Sequence, residues 1–172
     1  MLNFEKLIFY NPTRGEINYQ ETIDEIFNYI KEKPEESYEV IVGCDSSSDE
    51  RPSFPIAIVV LRIGQGGRFF LTKIHYSSKE KKKFYSFQQR ILQEVVLSCE
   101  LSLRFRKDLE KSAQKFHQKF DYKFEYIHAD VGVQGKTKDM IKEVVGLIKS
   151  NGFEAKIKPE SFVASVVADR FT

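Results

Sequence analysis

Asp45, Glu94, Asp130 and Asp169 are the residues of this 172-residue chain whose types and positions would do chemistry together. Asp45 ends the apolar run Val40-Ile41-Val42-Gly43-Cys44, and Asp130 ends a second run, Phe124-Glu125-Tyr126-Ile127-His128-Ala129. Both runs read as strands, and the carboxyl edge of the strands in an open α/β sheet is where ligands usually bind. Convergent carboxylates repel one another unless protons or divalent cations neutralise them. The pattern points to metal-assisted hydrolysis. Each Asp also has a plainer explanation: Asp45, followed by Ser46-Ser47-Ser48, and Asp130, followed by Gly132 and Gly135, could simply close turns. Two parallel strands delivering an Asp to one edge weigh against that coincidence.

Glu94 shares a helical face with Phe87, Ile91, Leu101 and Phe105. An acid inside an apolar stripe is costly unless it is protonated, paired or bound to metal. A salt bridge to Arg90 is the alternative. Glu100 falls on the opposite side of the wheel and reads as solvated, but so long a helix leaves open which glutamate belongs to the site. Asp169 follows Phe162 and Val166 on the buried stripe of the last helix, with pairing to Arg170 as its alternative. His128 shares strand parity with Asp130 and reads as a packed core histidine rather than a ligand.

The elements that would position these acids follow from the hydrophobic pattern. An apolar, aromatic start and the turn Asn11-Pro12-Thr13-Arg14-Gly15 lead into a helix from Tyr19 to Lys31. Val40 to Asp45 is a strand buried on both faces. Phe54 to Arg62 and Arg68 to Tyr76 form a hairpin across Gly64-Gln65-Gly66-Gly67. Lys79 to about Phe120 reads as one long helical region with a break near Arg106. Tyr122 to Asp130 is a strand, Thr137 to Ser150 a helix stopped at Asn151-Gly152, and Phe153 to Lys158 a last strand. Ser161 caps a closing helix, Phe162 to Arg170. The expected fold is α/β: a mixed five-stranded sheet with helices on both faces, the first three strands antiparallel and the last two parallel to the first. Residues 1–172 read as a single domain with an N-terminal helical extension over about 1–37.

Composition sets limits. Net charge is +2, from 27 basic and 25 acidic residues, so any affinity for polyanions depends on where the cations cluster. Cys44 and Cys99 read as buried free thiols of a reducing cytoplasm. No close Cys/His pair suggests zinc. The longest apolar stretch, Ile56 to Leu61, is too short to span a bilayer, and the start does not read as a signal peptide. A cytoplasmic protein is expected.

Val42-Gly43-Cys44-Asp45-Ser46-Ser47, His128-Ala129-Asp130-Val131-Gly132 with Gly135-Lys136-Thr137, and Ala164-Ser165-Val166-Val167-Ala168-Asp169-Arg170 resemble the YkuK-type family of the ribonuclease-H-like superfamily. The resemblance covers nearly the whole chain. It implies acids from the first strand, the first long helix, the fourth strand and the last helix, which Asp45, Glu94, Asp130 and Asp169 match in order. It also implies a metal-dependent nuclease or phosphodiester hydrolase acting on nucleic acid, whether DNA, RNA or hybrid. Two Mg²⁺ or Mn²⁺ ions about 4 Å apart would be held by the four acids, with Asp45 bridging. Hard oxygen ligands favour Mg²⁺ or Mn²⁺ over zinc. Ser46 and Ser47 are expected to orient a substrate phosphate. Lys136 and Lys138 are the expected substrate-binding cations, ahead of Lys79, Lys81, Lys82, Lys83, Arg104, Arg106 and Lys107 along the long helix. The competing reading is an inactive ribonuclease-H-like module that binds nucleic acid or protein.

Overall fold

Tyr38–Cys44, almost wholly buried, forms an inner strand of a seven-stranded mixed sheet in the computed structural model, which describes residues 2–49, 51–76, 83–116 and 119–171. Its run of Val and Ile suits a pleated surface covered on both sides. In chain order the strands are β1 (Ile8–Asn11), β2 (Gly15–Asn18), β3 (Tyr38–Cys44), β4 (Ser53–Arg62), β5 (Gly66–His75), β6 (Tyr122–His128) and β7 (Glu154–Lys156). Their spatial order is β2-β1-β5-β4-β3-β6-β7. β3, β4 and β5 pair antiparallel, while β6 lies parallel to β3 and β7 parallel to β6.

The expected sheet had five strands, and the two extra ones come from the N-terminus. Residues ahead of Tyr19 form the β1–β2 hairpin, turning at Gly15, whose φ of 73° suits a residue without a side chain. β1 then pairs with β5. Phe9 and Ile17 enter the core, so the hairpin extends both the sheet and its apolar face.

Helix α1 (Tyr19–Glu32) starts on a capping box, with the Asn18 side chain accepting from the Glu21 N–H and Glu21 accepting from the Asn18 N–H. Helix α2 (Phe87–Gln114) begins where the Ser86 hydroxyl accepts from the Gln89 N–H at 3.3 Å. It runs unbroken past Arg106, whose guanidinium donates to the Gly152 carbonyl at 3.1 Å and lies 4.0 Å from the centre of the Phe153 ring. The helix continues through Arg106, which also ties α2 to the chain entering β7. Lys79, Lys81 and Lys82 lie outside the described residues. Helix α3 (Ile141–Ser150) follows a short 3₁₀ turn, Lys138–Met140.

The three helices share one core with Val40, Val42, Cys44, Ile56 and Ile58 of the sheet. The opposite face, through Ile41, Ala57, Val59 and Leu71, carries the closing segment, which is π-helical over Val163–Ala168 rather than α-helical. Short π segments are rare and recur at functional sites. Ser161 does not cap it; the serine hydroxyl is buried and makes no hydrogen bond. Its closeness to the sheet depends on Gly43: a Cβ there would lie 2.6 Å from the Ala164 nitrogen. No helix among the described residues is long and apolar enough to cross a membrane.

Candidate metal-binding carboxylate site

Register brings the first two acids together. β3 and β6 run parallel with Gly43 opposite His128, so two residues further along each strand stand Asp45 and Asp130 at neighbouring positions on one edge. The π-helical segment crosses the outer face above Gly43 and ends at Ala168, which delivers Asp169 to the same edge. The Asp169 side chain lies close enough to Asp45 to raise it. The stripe expected to bury Asp169 is instead exposed: Phe162, Val166 and Asp169 all face solvent, as does Arg170, its alternative partner. Burial foremost, then the charge of Asp130 and the bond to Asp169, pushes Asp45 up from 3.8 to about 7, against the opposing Ser46 backbone N–H.

Glu94 arrives from the other side of the sheet, on α2. It is 6% exposed and accepts the Ser46 hydroxyl on Oε1 at 2.5 Å. Burial foremost, then the charges of Asp45 and Asp130, lifts it from 4.5 to about 8, opposed by Ser46 and by the more distant Arg90. The hydroxyl of Ser46, rather than Arg90, is therefore its hydrogen-bonding partner. Glu100 is not solvated as expected: its Oε1 accepts the Leu2 N–H, away from these acids, which assigns the site-facing position on α2 to Glu94.

Asp130 carries a cation that sequence reasoning missed. Lys158 Nζ lies 3.0 Å from Asp130 Oδ2, while Oδ1 is buried and makes no hydrogen bond. The Lys158 N–H donates to the Val131 carbonyl at 2.8 Å, which sets the lysine beside the Asp130 loop. The sequence carries no signal for it: the contact is tertiary, and a Cβ at Gly132 would come 3.1 Å from Lys158 Cβ. The expected cations stand apart. Lys136 and Lys138 are exposed on the loop past Asp130, with no ion pair to the acids among the described residues. Arg104 is bound to Asp108 at 2.6 Å, beside a cleft of about 550 Å³ that Tyr19 and Lys111 also line. Of the two serines, only Ser46 faces the acids. The Ser47 hydroxyl accepts from the Ser53 N–H at 3.1 Å and closes the loop between β3 and β4.

His128 is packed, as its pattern suggests. Burial, with the charge of Lys156, lowers it from 6.5 to about 4, so it is neutral at physiological pH. Its Nδ1 accepts the Val163 N–H at 3.3 Å, which puts the proton on Nε2 and ties the π-helical segment to β6. Cys44 and Cys99 are both buried free thiols.

The donor set is four carboxylates, all hard oxygens, and the buried unpartnered Asp130 Oδ1 is what a divalent cation would engage. These residues fit Mg²⁺ or Mn²⁺ in kind. Among the described residues no three His, Cys, Asp or Glu are gathered closely enough to hold one ion. Burial and mutual repulsion push Asp45 and Glu94 up, toward their protonated forms, and the Lys158 ammonium pairs with Asp130.

Residues 21–172 match the family described as ribonuclease H-like. Over 173 residues the chain is 30% identical to "Uncharacterized protein YkuK" of Bacillus subtilis (strain 168), with 98% of each covered. No solved structure matches the chain.

Proposed function

Since the chain belongs to the ribonuclease H-like family, of the type of YkuK, we propose that it is a divalent-metal-dependent phosphodiester hydrolase acting on nucleic acid. The observation that carries this reading is the convergence of Asp45, Asp130 and Asp169 on one sheet edge, where burial and the neighbouring acids push Asp45 up and Asp130 Oδ1 is buried without a partner. A fold gains no stability from packing acids so tightly that they ionise with difficulty. Such an arrangement makes sense where a cation replaces the protons.

Asp45, Glu94, Asp130 and Asp169 would hold the ions, Mg²⁺ or Mn²⁺ and two in number. Bound there, they would make a water molecule nucleophilic near neutral pH and stabilise the departing oxygen. The chain's own residues prepare that chemistry. The Ser46 N–H and hydroxyl hold Asp45 and Glu94 in place from one residue, so the two acids cannot turn independently. His128 stays neutral and fixes the π-helical segment through Val163, which keeps Asp169 over the edge. The site is an edge of the sheet rather than a closed chamber, and an open edge suits a polymer whose phosphates pass across it.

A second reading has its own support. Lys158 on Asp130 leaves the cluster partly neutral without any metal, as expected of a module that kept the fold and binds without cutting. Incubating end-labelled single-stranded and duplex RNA, DNA and RNA–DNA hybrid with the protein and Mn²⁺ or Mg²⁺ separates the two. Hydrolysis by the wild type that Asp45→Asn abolishes supports the enzyme. Retention of nucleic acid with no hydrolysis in either metal supports the module.

A further inference from the structure

Lys158 reaches Asp130 in a way that neither a random surface lysine nor a permanent ion pair would. Its base is anchored by the hydrogen bond from its N–H to the Val131 carbonyl at 2.8 Å. Its stem lies against Gly132, where a Cβ would press on it at 3.1 Å from Lys158 Cβ. Its head sits 3.0 Å from Asp130 Oδ2, with the lysine side chain 50% exposed against 24% for the aspartate. A pair so open to water is weak and exchanges readily. Beside it, Asp130 Oδ1 is buried without a partner, an acceptor the ammonium does not use.

We propose that Lys158 is a cationic placeholder that occupies Asp130 in the metal-free protein and must be displaced when a divalent cation binds, so that it sets the cation concentration at which the site fills. This rests on the metal site proposed above and adds its regulation. The ammonium supplies one positive charge to a cluster of four acids and orients Asp130. A divalent cation brings twice the charge and engages the oxygen left open. The competition between them weakens metal binding and spares the metal-free fold an uncompensated carboxylate.

The test is a calorimetric titration of Mn²⁺ alone into the wild type, Lys158→Met and Lys158→Arg, without nucleic acid. Methionine keeps an unbranched stem over Gly132 and removes the charge; arginine keeps the charge. Lys158→Met should bind Mn²⁺ about fivefold more tightly, the equivalent of a solvent-exposed ion pair. Lys158→Arg should bind as the wild type does. In an Asp130→Asn background the Lys158→Met gain should vanish, since the two residues act as one unit. A purely structural lysine would instead lower the metal-free melting temperature of Lys158→Met and leave affinity unchanged. Unchanged or weaker binding by Lys158→Met overturns the placeholder while the metal site stands. No Mn²⁺ binding by any of the proteins overturns both.

Discussion

Replacing Asp45 by Asn should make the metal-free protein more stable at pH 8 and leave it unchanged near pH 4. Asp45 has a folded pKa of about 7 against 3.8 for an ordinary carboxyl, so the native state binds its proton more tightly than the unfolded chain does. Stability must then fall as pH rises from about 4 to 7, and the full penalty stands above pH 7. That displacement corresponds to at most about 4 kcal/mol. Partial exposure of Asp45 reduces the figure to about 1–2 kcal/mol. For a chain of this length that is a rise of about 3–6 °C in melting temperature at pH 8. The amide of Asn can donate to Asp169, while its oxygen still accepts from the Ser46 N–H. The assay is differential scanning calorimetry in chelator, wild type against variant, at steps between pH 4 and 8. A variant less stable at pH 8, or a difference that does not change with pH, would refute the reasoning and make Asp45 a structural residue.

Glu94→Gln should cost little at pH 6, where the acid is already neutral and Oε1 still accepts the Ser46 hydroxyl. At pH 9.5 the same change should stabilise by about 2–4 kcal/mol, because only the wild type then carries a buried charge; urea unfolding at the two pH values measures it. Gly43→Ala forces a methyl to 2.6 Å from the Ala164 nitrogen, and a backbone atom cannot turn aside. It should destabilise by at least about 1–3 kcal/mol and flatten the pH dependence of stability, because displacing the π-helical segment takes Asp169 away from Asp45. Thermal melts at pH 5 and 8 read both effects.

The acids that end strands were legible because a buried run of Val and Ile must stop somewhere, and Asp45 and Asp130 stand at the stops. Their meeting was legible too, once β3 and β6 were read as parallel. Glu94 could be found from the helical wheel, since Ile91, Leu101 and Phe105 around it are all buried. The N-terminal hairpin was harder. Its turn was visible in Asn11-Pro12-Thr13-Arg14-Gly15, but each strand is only four residues long, too short for alternation to stand out against the helix that follows. The π-helical form of the closing segment has no propensity signature; it follows from how closely Gly43 lets that segment approach the sheet. Lys158 was missed for a related reason. It lies past the end of β7 in a polar stretch, and only the tertiary pairing of its N–H with Val131 returns it to Asp130. The cations that looked promising along α2, Arg104 and Arg106, are taken up by Asp108 and by Gly152 and Phe153. Charge in a sequence marks a candidate; burial and partners decide what it does.

The central claim is that four acids at this edge form a divalent-cation site. The most direct measurement is the melting temperature of the wild type and Asp45→Asn at pH 7.5, in chelator and across Mn²⁺ concentrations up to millimolar. A cation bound only by the folded protein stabilises it by about 2.7 kcal/mol at a hundredfold excess over its dissociation constant. The account predicts a rise of several degrees in the wild type that Asp45→Asn loses. A wild type that melts at the same temperature in chelator and in millimolar Mn²⁺ would contradict it.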